Sequence, residues 1–217
     1  SIIARIEDPD RVAHAQLIYR VEPSTNTVSV PMVYGGAGYY HGAIPGQPAG
    51  ATVAFHIDAV DYPGAHRVFP DKAPAGEGVV RFGETTPSGR LATYRLWMTQ
   101  KNINRWAQRE RSSNKPLDGT FVYNNQRVVY GAGGLYSGSP YHWGNYNSPL
   151  GNAANYLVIF PKDDLFLGET DTVLNLPSNL ASDSTGVREQ TAFWMASQIG
   201  QPSNHRRYHH LLINGVD

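Results

Sequence analysis

The sequence predicts a small all-β sandwich followed by a unit of mixed α+β character, on three observations. Residues 1–70 carry short alternating apolar runs with turn residues about every ten positions, the spacing of a sandwich. Residues 70–78, Pro-Asp-Lys-Ala-Pro-Ala-Gly-Glu-Gly, combine three kinds of breaker residue and mark a linker. Beyond them the pattern is mixed, with strand-like alternation interrupted by two stretches of helical periodicity.

In the first unit, residues 2–6 form a strand that stops at Asp8-Pro9-Asp10. Residues 15–21 alternate well, with Leu17, Tyr19 and Val21 on one face. Residues 27–33, 39–44 and 52–60 follow as strands, punctuated by Gly35-Gly36 and Pro45-Gly46. This gives a module over residues 1–72 that resembles immunoglobulin-like or fibronectin-like domains.

In the second unit, residues 93–98 read as a strand. Thr99 caps a helix through about Arg111, with Ile103, Trp106 and Ala107 on one face. Residues 120–123 and 126–130 form a hairpin about Asn124-Asn125, and residues 131–151 form a loop rich in Gly, Ser, Pro, Tyr and Asn. Residues 156–160 and 172–176 are strands. Ser184 or Thr185 caps a helix over residues 187–199, which Gly200 and Pro202 end. The apolar alternation at 209–213 leads into Asn214-Gly215, the strongest two-residue hairpin signal.

An ordered set of motifs runs through this unit: Phe166-Leu167-Gly168, Leu174-Asn175-Leu176, the helix with Arg188-Glu189, Gly200-Gln201-Pro202, and Leu211-Leu212-Ile213-Asn214-Gly215. The set resembles the CotH family of spore-coat and secreted kinase-like proteins. The resemblance covers about residues 78–217, which corresponds to the front part, or N-terminal lobe, of the family's kinase-like domain. It implies a secreted or cell-surface setting. It also implies an atypical Ser/Thr protein kinase using ATP and Mg²⁺, whose acidic residues would lie beyond the Asn-Gly hairpin. On that ground the chain is expected to be the incomplete N-terminal part of such a domain.

Composition excludes several classes. Lys plus Arg and Asp plus Glu are both 18, so net charge is zero and no basic stripe suggests nucleic acid. The absence of cysteine rules out disulfides, Cys-ligated zinc and thiol chemistry. No apolar run approaches the roughly 18 residues of a spanning helix.

Four groups of residues are candidates for chemistry. The Gly-rich stretch Gly131-Ala132-Gly133-Gly134-Leu135-Tyr136-Ser137-Gly138-Ser139 follows a strand, where bare amides can cradle phosphate. The family loop resembles G-x-R-x-K/R-G-x-S. Aligned on Gly138, this chain has Leu135 and Ser137 where the family has cations, which favours a structural role over contact of Gly138 and Ser139 with a nucleotide. Glu189 matches the family's helix Glu, which in kinase-like folds holds a phosphate-binding Lys; a first-turn Glu also simply favours the helix dipole. Tyr136, Tyr141, His142, Trp143 and Tyr146 form a dense aromatic stretch, either a contact surface for glycan or protein partners or packing over the sheet. His205, His209 and His210, and the pairs Asp8/Asp10, Asp58/Asp61 and Asp163/Asp164, are better explained by strand, turn and cap roles than by metal binding.

The expected function is that of an extracellular or surface structural or interaction protein on a degenerate kinase-like fold, without phosphoryl transfer of its own. Strands near both ends are expected to be covered, by further parts of the same polypeptide or by a neighbouring copy in self-association.

Overall fold

The computed structural model describes residues 1–73, 76–110, 113–137, 148–151, 154–176, 186–203 and 206–217. In chain order the elements are β1 (Ile2–Arg5), β2 (Val12–Val21), β3 (Val28–Pro31), β4 (Val33–Gly36), β5 (Tyr39–Gly42), β6 (Thr52–Asp61), β7 (His66–Phe69), β8 (Gly78–Arg81) and β9 (Ala92–Trp97). They continue with α1 (Gln100–Gln108), β10 (Leu117–Tyr123), β11 (Arg127–Tyr136), β12 (Tyr156–Ile159), β13 (Asp171–Leu174), α2 (Arg188–Gln198) and β14 (His209–Ile213).

The first unit is a sandwich. One layer is β1-β5-β4; the other is β3-β2-β6-β7, with β8 also paired to β6. Leu17, Tyr19, Val53, Phe55 and Ile57 are buried between the layers, and Ile2, Ala4 and Tyr40 pack on them from the smaller sheet. The period-2 alternation of the sequence is therefore the inside-outside alternation of β2 and β6. The single strand expected at 27–33 is divided. Residues 28–31 pair with β2, whereas 33–36 pair with β5 in the other layer, and buried Met32 sits at the switch.

The segment expected as a linker does not separate one sheet from the next. One edge of β6 is shared in tandem: Ile57 to Val60 pair with β7, and Thr52 to Phe55 pair with β8. Residues 70–77 connect these two strands, so Gly78–Arg81, assigned from sequence to the second unit, belongs by hydrogen bonding to the first sheet. Breaker residues mark a turn equally well in either case. β8 also touches the second unit, where the Val79 amide donates to Thr120 Oγ1 at 2.8 Å.

The second unit is a six-stranded sheet in the order β13-β12-β11-β10-β9-β14, with α1 packed against it. Its core is aromatic: the Phe121 ring lies 5.2 Å from Tyr94, 5.2 Å from Phe160 and 5.0 Å from Phe166. Three two-residue turns in this unit share one geometry, and the first of them joins β10 to β11. Asn124-Asn125, Leu167-Gly168 and Asn214-Gly215 all have positive φ at both residues, the type I′ condition. The Phe-Leu-Gly motif is thereby explained: Phe166 is core, while Leu167 is 79% exposed and merely turns the chain.

Residues 131–136, expected as part of a loop, are instead the second half of β11. Gly133 and Gly134 are glycines because the strand is crowded, not because it is loose. A Cβ on Gly134 would stand 2.8 Å from Leu96 Cδ2 and 2.9 Å from Trp106 Cζ3. The helix expected to reach Arg111 ends at Gln108, and Arg109 is already extended with ψ 163°. The Ser184 and Thr185 caps lie outside the described residues; Val187 occupies the N-cap position of α2 and makes no side-chain cap bond.

Candidate functional site

The Gly-rich segment is the first place a kinase-like reading would look. At its centre the amides of Gly133 and Gly134 are committed to the sheet rather than open to an anion. Gly133 and Gly134 pair with Asp118 and Leu117 of β10 on one side and with Ile159 and Val158 of β12 on the other. Leu135, at the position where the family resemblance places an Arg, is buried. The Ser137 amide donates to the Asn155 carbonyl at 2.8 Å. Gly138 and Ser139 lie outside the described residues.

Glu189 lies in the first turn of α2, and its Oε2 accepts from Arg206 Nη1 at 2.9 Å. The Arg206 guanidinium also stands 4.8 Å over the Phe193 ring. Both features of the carboxylate, its place at the helix start and its cation, are local to α2 and the segment that follows it. Leu135 and Ser137, the positions that the resemblance aligns with cations, are not its partners.

Of the aromatic stretch, Tyr136 is described; Tyr141, Trp143 and Tyr146 lie outside the described residues. Tyr136 packs edge-on to Trp106 at 5.2 Å and beside Tyr156 at 5.5 Å. Arg109 stands 4.7 Å over the Trp106 ring, and burial lowers the pKa of its guanidinium. Burial, with Tyr136 nearby, pushes the Tyr156 hydroxyl well above the usual phenol range. Tyr136 therefore contributes to packing over α1.

Sequence reasoning missed a buried ionic cluster at the junction of the two units. Arg95 is 1% exposed. Glu84 Oε2 forms an ion pair with Arg95, 2.7 Å from its Nε, and accepts a hydrogen bond from Trp97 Nε1 at 2.9 Å. Arg81 Nε is 3.4 Å from Glu84 Oε1, an ion-pair distance without hydrogen-bond geometry. Arg95 and Arg81 also donate to Thr86 and Thr52. Desolvating the buried charges offsets much of their attraction, so the cluster is weak evidence of net stabilisation. A strand reading of 93–98 places Arg95 correctly but gives no sign of a carboxylate eleven residues earlier.

The Asn-Gly turn does more than reverse the chain. Asn214 Oδ1 accepts from the Met98 amide at 2.8 Å and Asn214 Nδ2 donates to the Met98 carbonyl at 2.9 Å. The side-chain amide thus acts as one more residue of the β14–β9 ladder. β14 runs parallel to β9. Its neighbour His209 stacks on Tyr94 at 4.2 Å, and burial lowers its pKa. His210 points the other way, with Nδ1 3.5 Å from Asp217 Oδ2; His205 lies outside the described residues.

Between the two edge strands of the six-stranded sheet is a cleft of about 300 Å³. Tyr156, Leu174, Leu176, His209, Leu211 and Ile213 contribute to its walls. Residues of both edge strands line it, Leu174 from β13 and His209, Leu211 and Ile213 from β14. Asn175 and Asp217 also line it, so the walls mix apolar and polar groups.

For metal, one acidic group among the described residues is close enough to share a cation: the Asp8, Asp10 and Asp61 carboxylates lie within 4.8 Å of one another. One oxygen of Asp8 accepts from the Asp10 amide and one of Asp61 from the Ala65 amide, so two of the three carboxylates also serve turns. Asp58 pairs with His66, and Asp164 with Arg127. Among the described residues no helix is long and apolar enough to cross a membrane.

No protein-family model and no curated protein sequence matches this chain.

Proposed function

We propose that this chain is a structural or interaction module, a β-sandwich of immunoglobulin-like or fibronectin-like kind joined to a degenerate CotH-like unit, and that it transfers no phosphate. The observation that carries this reading is the double pairing of Gly133 and Gly134 in β11, which commits to the sheet the amides that a nucleotide loop would offer. The local pairing of Glu189 with Arg206 supports it further. An extracellular or cell-surface setting follows from the resemblance of the second unit and from its pairing with a sandwich module.

Incubation with γ-labelled ATP, Mg²⁺ and a generic protein substrate tests the proposal. No transfer above a heat-denatured control is expected. Transfer that Glu189→Ala abolishes would overturn it in favour of an atypical kinase.

A further inference from the structure

The turn from Ile213 to Val216 carries the single Asn-Gly pair of the sequence. Asparagine is a thermolabile residue, and a following glycine, with no side chain to shield its amide, leaves it most open to reaction. Water is the only co-reactant. The Gly215 nitrogen, its proton lost to hydroxide, bonds to Asn214 Cγ, and Nδ2 leaves as ammonia. Water then opens the five-membered imide at either carbonyl. One opening gives aspartate. The other gives isoaspartate, in which the main chain runs through Cγ and is one carbon longer.

The contacts that dock β14 hold Asn214 away from that reaction. Its Oδ1 accepts from the Met98 amide at 2.8 Å and its Nδ2 donates to the Met98 carbonyl at 2.9 Å. Its own amide donates to the Leu96 carbonyl of β9 at 3.2 Å, and Ile213 exchanges two bonds with Val216 across the turn, at 2.9 and 3.1 Å. Cγ cannot swing towards the Gly215 nitrogen while both ends of the side-chain amide are engaged on Met98. Ring closure therefore requires this end of β14 to leave β9. After conversion the same contacts cannot re-form. Ionised aspartate has no donor for the Met98 carbonyl and sets a carboxylate oxygen against it. Isoaspartate lengthens a turn that lies close against the junction cluster: a Cβ on Gly215 would stand 3.0 Å from Glu84 Oε1 and 3.3 Å from Arg81 Nε.

We propose that Asn214 is a self-modification site guarded by its own docking, and that its conversion to aspartate or isoaspartate releases β14 from β9 irreversibly. The released strand carries Leu212 and Ile213, both buried in the docked state, so conversion uncovers apolar surface beside β9. The device is a clock. Transient opening of one strand becomes a permanent change, at a rate set by how often that strand opens. The inference rests on the turn alone and stands whether or not the chain transfers phosphate.

Peptide mapping by mass spectrometry tests it on the 217-residue chain, held folded or in urea in the same mildly alkaline buffer. Conversion at Asn214 is expected in urea and should be at least about tenfold slower in the folded chain, because two side-chain hydrogen bonds must open first. The converted chain is then refolded and followed by amide hydrogen exchange. Alternate residues of a strand bond the same neighbour, so the Leu212 amide turns to β9 as that of Asn214 does. Exchange at Leu212 should quicken by about tenfold or more, while β10 and β11 in the middle of the sheet keep their protection. Asn214→Asp, which removes the donor without lengthening the turn, should quicken Leu212 in the same direction. Equal conversion in the folded and unfolded chains would overturn the proposal. So would no conversion in urea, or a converted chain that keeps its protection at Leu212. Loss of protection in β10 and β11 as well would also overturn it, since conversion would then unfold the sheet rather than release one strand.

Discussion

The two helices make opposite use of similar material. α1 has 9 residues and α2 has 11, and each carries a tryptophan. In α1, Thr99 caps the first turn, Asn102 Nδ2 donates to the Asp118 carbonyl, and Ile103 and Trp106 are buried against the sheet. In α2, no residue is buried and Trp194 is 60% exposed. Its order is local. Gln201 and Gly200 donate back to Ala196 and Ser197 in a Schellman ending, and Gly200 takes φ +71° as that ending requires. Arg206 reaches Glu189, and Tyr208 donates to the Gly186 carbonyl. Helix signals decide where a helix begins and ends; whether it belongs to the core depends on a surface that the rest of the chain must supply.

The largest effect expected from this contrast is at the tryptophans. Trp106→Ala removes a side chain that is 1% exposed and should cost about 3–5 kcal/mol. Trp194→Ala should change stability by no more than about 0.5 kcal/mol. Urea unfolding of both variants measures the difference, and equal losses would mean that α2 is packed after all.

The glycines on which the helices depend come next. Gly134→Ala would press a methyl group onto Leu96 and Trp106 in a strand that cannot yield, and should cost about 1–3 kcal/mol. Gly200→Ala meets no neighbour within 4 Å and is penalised only by its positive φ, by about 1 kcal/mol. If the two were equal, backbone conformation rather than close packing would govern the seat of α1.

The sandwich and both helices were legible in the sequence because each rests on periodicity and on short-range turn chemistry. Leu17, Tyr19 and Val21 alternate, Thr99 stands before an apolar face, and Gly200 follows the last helical turn. What was not legible depends on contacts between distant residues. Nothing local tells that Gly131 to Tyr136 is a strand, because glycine permits both conformations; Pro116, Leu96 and Trp106 decide it. Nor does the sequence near residue 78 reveal that β8 will join β6 rather than open a new sheet. Of the candidate site, Glu189 was placed correctly on its helix, whereas its Arg206 partner lies 17 residues away across a turn.

A smaller effect lies where the strand after α2 enters the sheet. His209 is held neutral by burial, so its folded pKa is lowered while the unfolded value stays near 6.5. The unfolded chain then binds more protons as pH falls through that value, and stability is lost from about pH 6.5 downward. At pH 7.5 the contribution is fully present. His209→Phe keeps a ring on Tyr94 and removes the titration, so its urea midpoint should fall less between pH 7.5 and 5.5 than that of the native chain. Equal slopes would show that His209 is solvated in the folded state.

The smallest effect separates the two meanings of Glu189. Its side chain is 48% exposed, and the cation paired with it, Arg206, belongs to the short segment that follows α2. Exposed pairs of this kind contribute little, because water screens the charges and two long side chains must be ordered. Glu189→Gln keeps the shape and an acceptor, and should alter unfolding free energy by about 0.5 kcal/mol or less. A carboxylate that positions a phosphate-binding cation would behave differently: the same substitution would leave stability alone but weaken Mg²⁺-nucleotide binding severalfold. Calorimetric titration of both chains with ATP and Mg²⁺ distinguishes the cases. Equal heats, with or without weak binding, are expected from a helix-end glutamate; a selective loss in the variant would restore the kinase-like role and break the contrast between a packed helix and an idle one.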